Sequence, residues 1–163
     1  MTGEDMRQRG FSLIELLIVV AIILVIAAIA IPNMLKSRMS ANEASAISSV
    51  RAINNAQMTY SLTYPEVGFA DNLAKLGAPT SGNPTSANAG LLDWVLGCAS
   101  QPCPKSGYNF TIDNPTGTPV SGYQVHAVPQ QVGQSGQRGF CSLRFDTVMA
   151  DLAGGTNCTT PLQ

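Results

Sequence analysis

Glu15 is the residue of this chain with the most demanding chemistry. It stands at the head of twenty uncharged residues, Leu16 to Leu35, most of them Leu, Ile, Val and Ala. A carboxylate inside a membrane costs about 2.5–3.5 kcal/mol on insertion scales, so it requires a partner. The other reactive candidates are sparser. Cys98, Cys103, Cys141 and Cys158 all follow the apolar stretch. An even number confined to that part predicts two disulfides in an oxidising compartment. The expected pairs are Cys98–Cys103 and Cys141–Cys158. The second would tie the C-terminal tail to a sheet and contribute roughly 3 kcal/mol in the chain-entropy model. A four-cysteine zinc site is the rival, but the spacings lack paired C-x-x-C knuckles.

Nothing else in the chain assembles into catalytic machinery. His126 is the single histidine and alternates within a strand-like run, where a structural role is expected. No serine occupies a Gly-x-Ser-x-Gly elbow, and the glycines form no phosphate-binding loop after a strand. Asn109-Phe110-Thr111 and Asn157-Cys158-Thr159 match the glycosylation acceptor pattern, which is common by chance. The expectation is a protein that is not an enzyme, with no cofactor and no metal.

Composition agrees. A chain of 163 residues suits one domain. Charged residues make up 12%, against a usual figure of roughly 25%, and 45% are hydrophobic. Nine Lys and Arg face ten Asp and Glu, and beyond Arg38 the cations are scattered (Arg51, Lys75, Lys105, Arg138, Arg144). Such a chain is neither a general nucleic-acid binder nor disordered, and no nucleic-acid partner is expected.

The elements that must position Glu15 begin with a helix. Twenty residues at about 1.5 Å each span roughly 30 Å, the hydrocarbon thickness of a bilayer, so 11–35 reads as a membrane-spanning segment. Arg7 and Arg9 precede it, and the positive-inside rule puts residues 1–10 in the cytoplasm. Lys36 and Arg38 flank the other end, and the cysteines restore the same orientation. An ordinary secretory signal peptide, cut after Ala28-Ile29-Ala30, is the competing reading. The carboxylate at the start of the stretch and the helical pattern beyond Ala30 count against it.

Ile47, Val50, Ile53, Ala56, Tyr60 and Tyr64 then mark one face of an amphipathic helix over 36–64, ended by Pro65. Together the two halves make one helix of about 50 residues, which Pro32 should kink or locally melt. The opposite face carries Ser40, Asn42, Ser45, Ser48, Ser49, Asn54 and Asn55, a surface suited to packing against other helices. Residues 65–107 read as turn-rich, with one or two helical turns over Leu91–Leu96 and Trp94 as a core anchor. Three strands are expected at Tyr108–Asp113, Tyr123–Val128 and Phe140–Phe145. A hairpin loop at Asn114–Gly117 joins the first two, and a longer loop, Gln130–Gly139, joins the others. The fold class is α+β: a long N-terminal helix packed on a small antiparallel sheet in a globular region, 65–163.

Arg9-Gly10-Phe11-Ser12-Leu13-Ile14-Glu15, running into the apolar stretch, resembles the prepilin signature of type IV pilins and type II secretion pseudopilins. Pro32 also sits where many such subunits have proline. The resemblance implies a leader, residues 1–10, removed by a membrane-embedded prepilin peptidase between Gly10 and Phe11, with N-methylation of Phe11. Glycine before the cut presents no Cβ to the cleft. Cleavage frees a cationic amine at Phe11, and pairing with Glu15 of a neighbouring subunit offsets two desolvation costs and fixes register.

The resemblance further implies a homo-oligomeric helical filament as partner, with an inner-membrane assembly platform. The location would be the bacterial inner membrane, then an extracellular pilus or a periplasmic pseudopilus. A secretion pseudopilin is the alternative, and a minor pilin that captures DNA or a surface is a further one. Asp146 and Asp151 offer only a weak hint of the calcium site of some major pseudopilins.

Overall fold

The computed structural model describes residues 11–143 and 147–162. One helix, α1, runs over Leu13–Thr63. A second, α2, has four residues, Leu73–Leu76. Six strands follow: β1 (Cys103–Lys105), β2 (Tyr108–Thr116), β3 (Gly122–Pro129), β4 (Gly139–Leu143), β5 (Met149–Asp151) and β6 (Thr160–Pro161). They form one antiparallel sheet in chain order. The chain divides into two units, 1–37 and 38–163.

In the first unit α1 is apolar on every side. Leu16, Ile18, Ile22, Leu24 and Ile29 are all more than half exposed. A helix hydrophobic all round belongs in an apolar surrounding, and this one is long and apolar enough to cross a membrane. The helix continues through Pro32. Proline there leaves the Ala28 carbonyl without its helical donor. One residue on, the side-chain Nδ2 of Asn33 donates to the neighbouring Ile29 carbonyl at 3.4 Å.

In the second unit α1 buries one face. Ala46, Val50, Ile53 and Tyr60 are fully enclosed, as the three-and-four spacing requires. Ile47 and Tyr64 pack at the edge of the core, half-buried. Against this face lies the inner side of the sheet. Tyr108, Phe110 and Ile112 alternate inward along β2, the two-residue period of a half-buried strand. Phe110 faces Ala127, Ala127 faces Phe140, and Phe140 faces Ala150. This row, large then small across four strands, lets the rings interdigitate with the helix.

The structure corrects several expectations. β1, β5 and β6 were not foreseen: at two or three residues they are too short to show alternation. β2 extends through Asn114 and Pro115 to Thr116, which pairs with Gly122 across a register shift. The turn therefore lies at 117–121 rather than at Asn114–Gly117. The last residues of the run expected at Phe140–Phe145 lie partly outside the described residues.

Leu91–Leu96 is a series of turns, not a helix, and the helical turn falls instead at Leu73–Leu76, capped by the Asn72 side chain. Trp94 is 81% exposed. The loop that carries it is fixed by its neighbours: the N–H groups of Leu91 and Leu92 both donate to the Leu76 carbonyl at 2.9 Å. Gly77 and Gly97 also touch backbone to backbone, where a Cβ on either would collide with the other. With both anchors on one side, the indole is left facing out.

The polar face of α1 is also used differently. Asn42 donates to the Ser135 carbonyl at 2.8 Å, Ser45 to the Ser106 hydroxyl at 3.0 Å, and Asn54 to the Ser142 hydroxyl at 2.7 Å. Ser49 is buried. These side chains bind the globular part of their own chain; Ser40, Ser48 and Asn55 stay exposed. Burial of Gln57 follows the same logic. Its amide donates to the Ala70 carbonyl and accepts from the Ala70 N–H, each at 2.8 Å, so a fully buried polar group is satisfied.

Candidate functional site

The segment carrying the sequence motif starts at the head of α1. Phe11 and Ser12 precede the helix, and Phe11 is 76% exposed. The Ser12 carbonyl accepts from the N–H groups of Glu15 and Leu16 at 3.1 and 3.2 Å. Ser12-Leu13-Ile14-Glu15 has the S-x-x-E pattern of a capping box, and Glu15 lies in the first turn of α1. Glu15 therefore belongs to the turn at the positive end of the helix, where an acidic residue is favoured. Gly10, like the rest of the expected leader, lies outside the described residues.

Two disulfides join Cys98 to Cys103 and Cys141 to Cys158. With all four sulfurs in disulfides, no thiolate is left to hold zinc. Asp146 lies outside the described residues. Asp151 turns its carboxylate to the backbone, accepting from Ala153 at 2.8 Å and Asn157 at 3.0 Å. Among the described residues no cluster of three or more metal-type ligands occurs. Of the scattered cations, Lys75 pairs with Asp71, Lys105 with Asp93, and Arg138 with Glu43. Asp93 also accepts from the Leu96 N–H at 2.8 Å, and that bond, with Lys105, holds its carboxyl below the usual range.

Sequence reasoning missed Glu43. It is 8% exposed, and its carboxylate gathers four hydrogen bonds. The N–H groups of Gln137 and Arg138 reach one oxygen at 2.9 and 3.1 Å, while Arg138 Nε and Nη2 reach the other at 3.0 and 2.7 Å. The guanidinium also lies 5.5 Å from the Phe140 ring centroid. This clamp fixes the β3–β4 loop to α1. Its only sequence signal was a carboxylate within the buried stripe of an amphipathic helix.

His126 is on the outer side of β3, facing Thr111 and Cys141 on the adjacent strands. It is 8% exposed and its Nδ1 has no partner among the described residues. Burial pulls the imidazole below its ordinary value, and Asp113, 4.0 Å from Nε2, offsets this in part. A folded-state pKa below the unfolded one means that the unfolded chain binds the proton first. Stability should therefore fall as pH drops below about 6.5. Thermal unfolding of the wild type and His126→Leu from pH 7.5 to 5.5 checks this. The wild type should lose more stability on acidification, and parallel curves would refute the assignment.

A long helix, apolar through its first unit and packed on an antiparallel sheet in its second, defines a pilin-like α+β protein. The model for the prokaryotic N-terminal methylation motif matches residues 5–31. The chain is homologous to type IV major pilins and to core protein G of type II secretion systems. It is 37% identical over 132 residues to the type IV major pilin protein PilA of Myxococcus xanthus, covering 68% of this chain and 56% of that one. It is 38% identical over 56 residues to the type II secretion system core protein G of Escherichia coli, covering 34% and 39%. It is 60% identical over 37 residues to the type IV wide pilus major component PilA4 of Thermus thermophilus, covering 23% and 28%. The chain thus spans little more than half the length of the first of these relatives and less of the others. No solved structure gives a significant match.

Proposed function

We propose that this chain is the structural subunit of a type IV pilus or pilus-like filament. The carrying observation is that the likeness to the Myxococcus pilin extends over 68% of the chain, far past the 27 residues, 5–31, of the methylation motif. In this reading prepilin peptidase removes residues 1–10 between Gly10 and Phe11, and Phe11 is N-methylated. Residues 11–35 hold the subunit in the bacterial inner membrane with its N-terminus cytoplasmic, until an assembly platform moves it into the filament. Residues 36–64 continue the helix, and 65–163 form the globular part exposed on the filament.

Glu15 acts by pairing with the Phe11 amine of a neighbouring copy. A helix start left in hydrocarbon with both charges unpaired is strongly disfavoured, so the pair selects the docking position. Pro32 serves as a weak point because one backbone bond is missing there. A pseudopilin of a type II secretion system is the second reading, supported by the likeness to core protein G over 56 residues.

Intact mass and N-terminal sequencing of the membrane-extracted protein, beside a Glu15→Ala variant examined for sheared surface filaments, test the proposal. A chain starting at methylated Phe11, with filaments lost or disordered in the variant, is the expected result. A start at Ile31 would mean a conventional signal peptide and defeat it. Processing at Phe11 without any sheared filament would transfer the assignment to the secretion pseudopilus.

A further inference from the structure

Several loops of the second unit gather at one end of the sheet, beside the first residues of α1 in that unit. Ser45 donates to the Ser106 hydroxyl of the β1–β2 turn at 3.0 Å. Asn42 donates to the Ser135 carbonyl of the β3–β4 loop at 2.8 Å, and Glu43 accepts from Gln137 and Arg138 of the same loop. The β5–β6 loop lies next to it: a Cβ on Gly154 would stand 2.8 Å from Val132. The segment bearing Trp94 is tied to this end as well, because Asp93 pairs at 3.3 Å with Lys105, the last residue of β1.

Large apolar side chains stand out from these loops. Trp94 is 81% exposed, Leu152 62% and Val132 52%. Around them are amides and hydroxyls instead of charges: 130–137 and 152–159 hold no Asp, Glu, Lys or Arg. The carboxylates of this end are spent within the chain. Glu43 is clamped by Arg138, Asp93 pairs with Lys105, and Asp151 accepts from Ala153 and Asn157. Lys36 and Arg38, both exposed, lie a few residues before Asn42.

This end is also the part of the unit tethered closest to the apolar stretch. From Leu35 to Asn42 the chain runs seven helical residues, a path of about 10 Å. Even fully extended the same residues reach only about 25 Å, so the limit holds at whatever angle the two units meet.

We propose that, before assembly, this loop end rests on the bilayer that its own apolar helix enters. The Trp94 indole lies at headgroup level, and Val132 and Leu152 dip into the acyl boundary. This contact rests on the reading that residues 11–35 sit in the membrane. Tryptophan favours that depth, where its ring leaves water and its N–H keeps polar partners. Gln130, Gln131 and Gln134 are free to bond to headgroups, and no unpaired carboxylate has to be dehydrated. Lys36 and Arg38 favour an anionic surface. The short tether makes the contact intramolecular, so a few apolar side chains suffice. The loop carrying Trp94 is already fixed by its bonds to α2, so docking orders little that was free.

Trp94 is the single tryptophan of the chain, so its fluorescence reports the contact directly. The full chain is reconstituted in vesicles of phosphatidylethanolamine and phosphatidylglycerol, with brominated lipids as membrane quenchers and acrylamide as the aqueous one. Bromines near the headgroups should quench Trp94 more strongly than bromines at the chain ends. The double variant Val132→Glu/Leu152→Glu should shift the docked-to-undocked ratio about tenfold or more toward water, the weight of one aliphatic side chain. Lipid quenching then falls and acrylamide quenching rises. Both positions are exposed, so the substitutions leave the core intact.

Trp94 open to acrylamide in the wild type, or quenched by lipid equally in the variant, overturns the contact. Shielding that vanishes as the chain is diluted with excess lipid would place the indole against a second copy and overturns it too. Alkaline carbonate extraction of the same vesicles keeps the two readings apart. A chain released by carbonate is a failure of membrane embedding, and the contact falls with it; a chain retained while Trp94 stays in water defeats the contact alone.

Discussion

Phe140→Ala should lower the unfolding free energy of the globular part by about 3–5 kcal/mol, the cost of removing a large ring from a closed core. Phe140 is fully buried on β4, between Ala127 and Ala150 on the flanking strands. Its small neighbours offer no side chain long enough to refill the space. Its ring lies 5.8 Å from that of Tyr108, and the substitution removes this ring-on-ring packing as well. Tyr108 is held from the far side, donating its hydroxyl to the Arg138 carbonyl at 2.8 Å, so it cannot simply lean into the gap. Burial also raises the Tyr108 phenol far above its ordinary value, so the hydroxyl remains a donor throughout the accessible pH range. Urea unfolding of the full chain in detergent, followed by the tyrosine circular dichroism signal, measures the loss. A change below about 1 kcal/mol would show that the sheet relaxes into the cavity.

Glu43→Ala should cost about 2–4 kcal/mol, because it strands two backbone N–H groups and leaves a guanidinium without its counter-charge. Arg138 keeps some access to water, with 38% of its side chain exposed, so the loss stays below that of a fully enclosed pair. Glu43→Gln retains an oxygen for the N–H groups and should cost roughly half as much. Arg138 touches both Glu43 and the Phe140 ring, so the double variant Glu43→Ala/Phe140→Ala should lose less than the sum of the two. The same urea titration decides it. Strict additivity would mean that the clamp and the aromatic row are independent.

The motif segment was legible because its signals are local. Gly10, Phe11 and Glu15 stand within six residues of one another, and the length of an uncharged run needs no tertiary contact to be counted. The buried stripe Val50, Ile53, Ala56 and Tyr60 was legible for the same reason: it is a period along one helix. β2 and β3 announced themselves by alternation. Trp94 was misplaced because apolar type suggests burial, whereas the position was decided by Leu91 and Leu92 bonding to α2 and by the contact of Gly77 with Gly97. The polar residues of α1 were misread because a polar face looks the same whether its partner is another subunit or the sheet of the same chain.

The sequence by itself determined the membrane-length helix, the motif at its head and the existence of an antiparallel sheet, since composition and period act over a few turns or strand residues. Tertiary structure alone decided which polar groups are spent inside the chain. Glu43 meets Arg138 across 95 residues, and Asn54 meets Ser142 across 88. It also decided where the three shortest strands lie. β1 and β5 exist only because β2 and β4 present unpaired backbone edges to them, and β6 because β5 does in turn; a two- or three-residue segment has no pattern of its own to declare it.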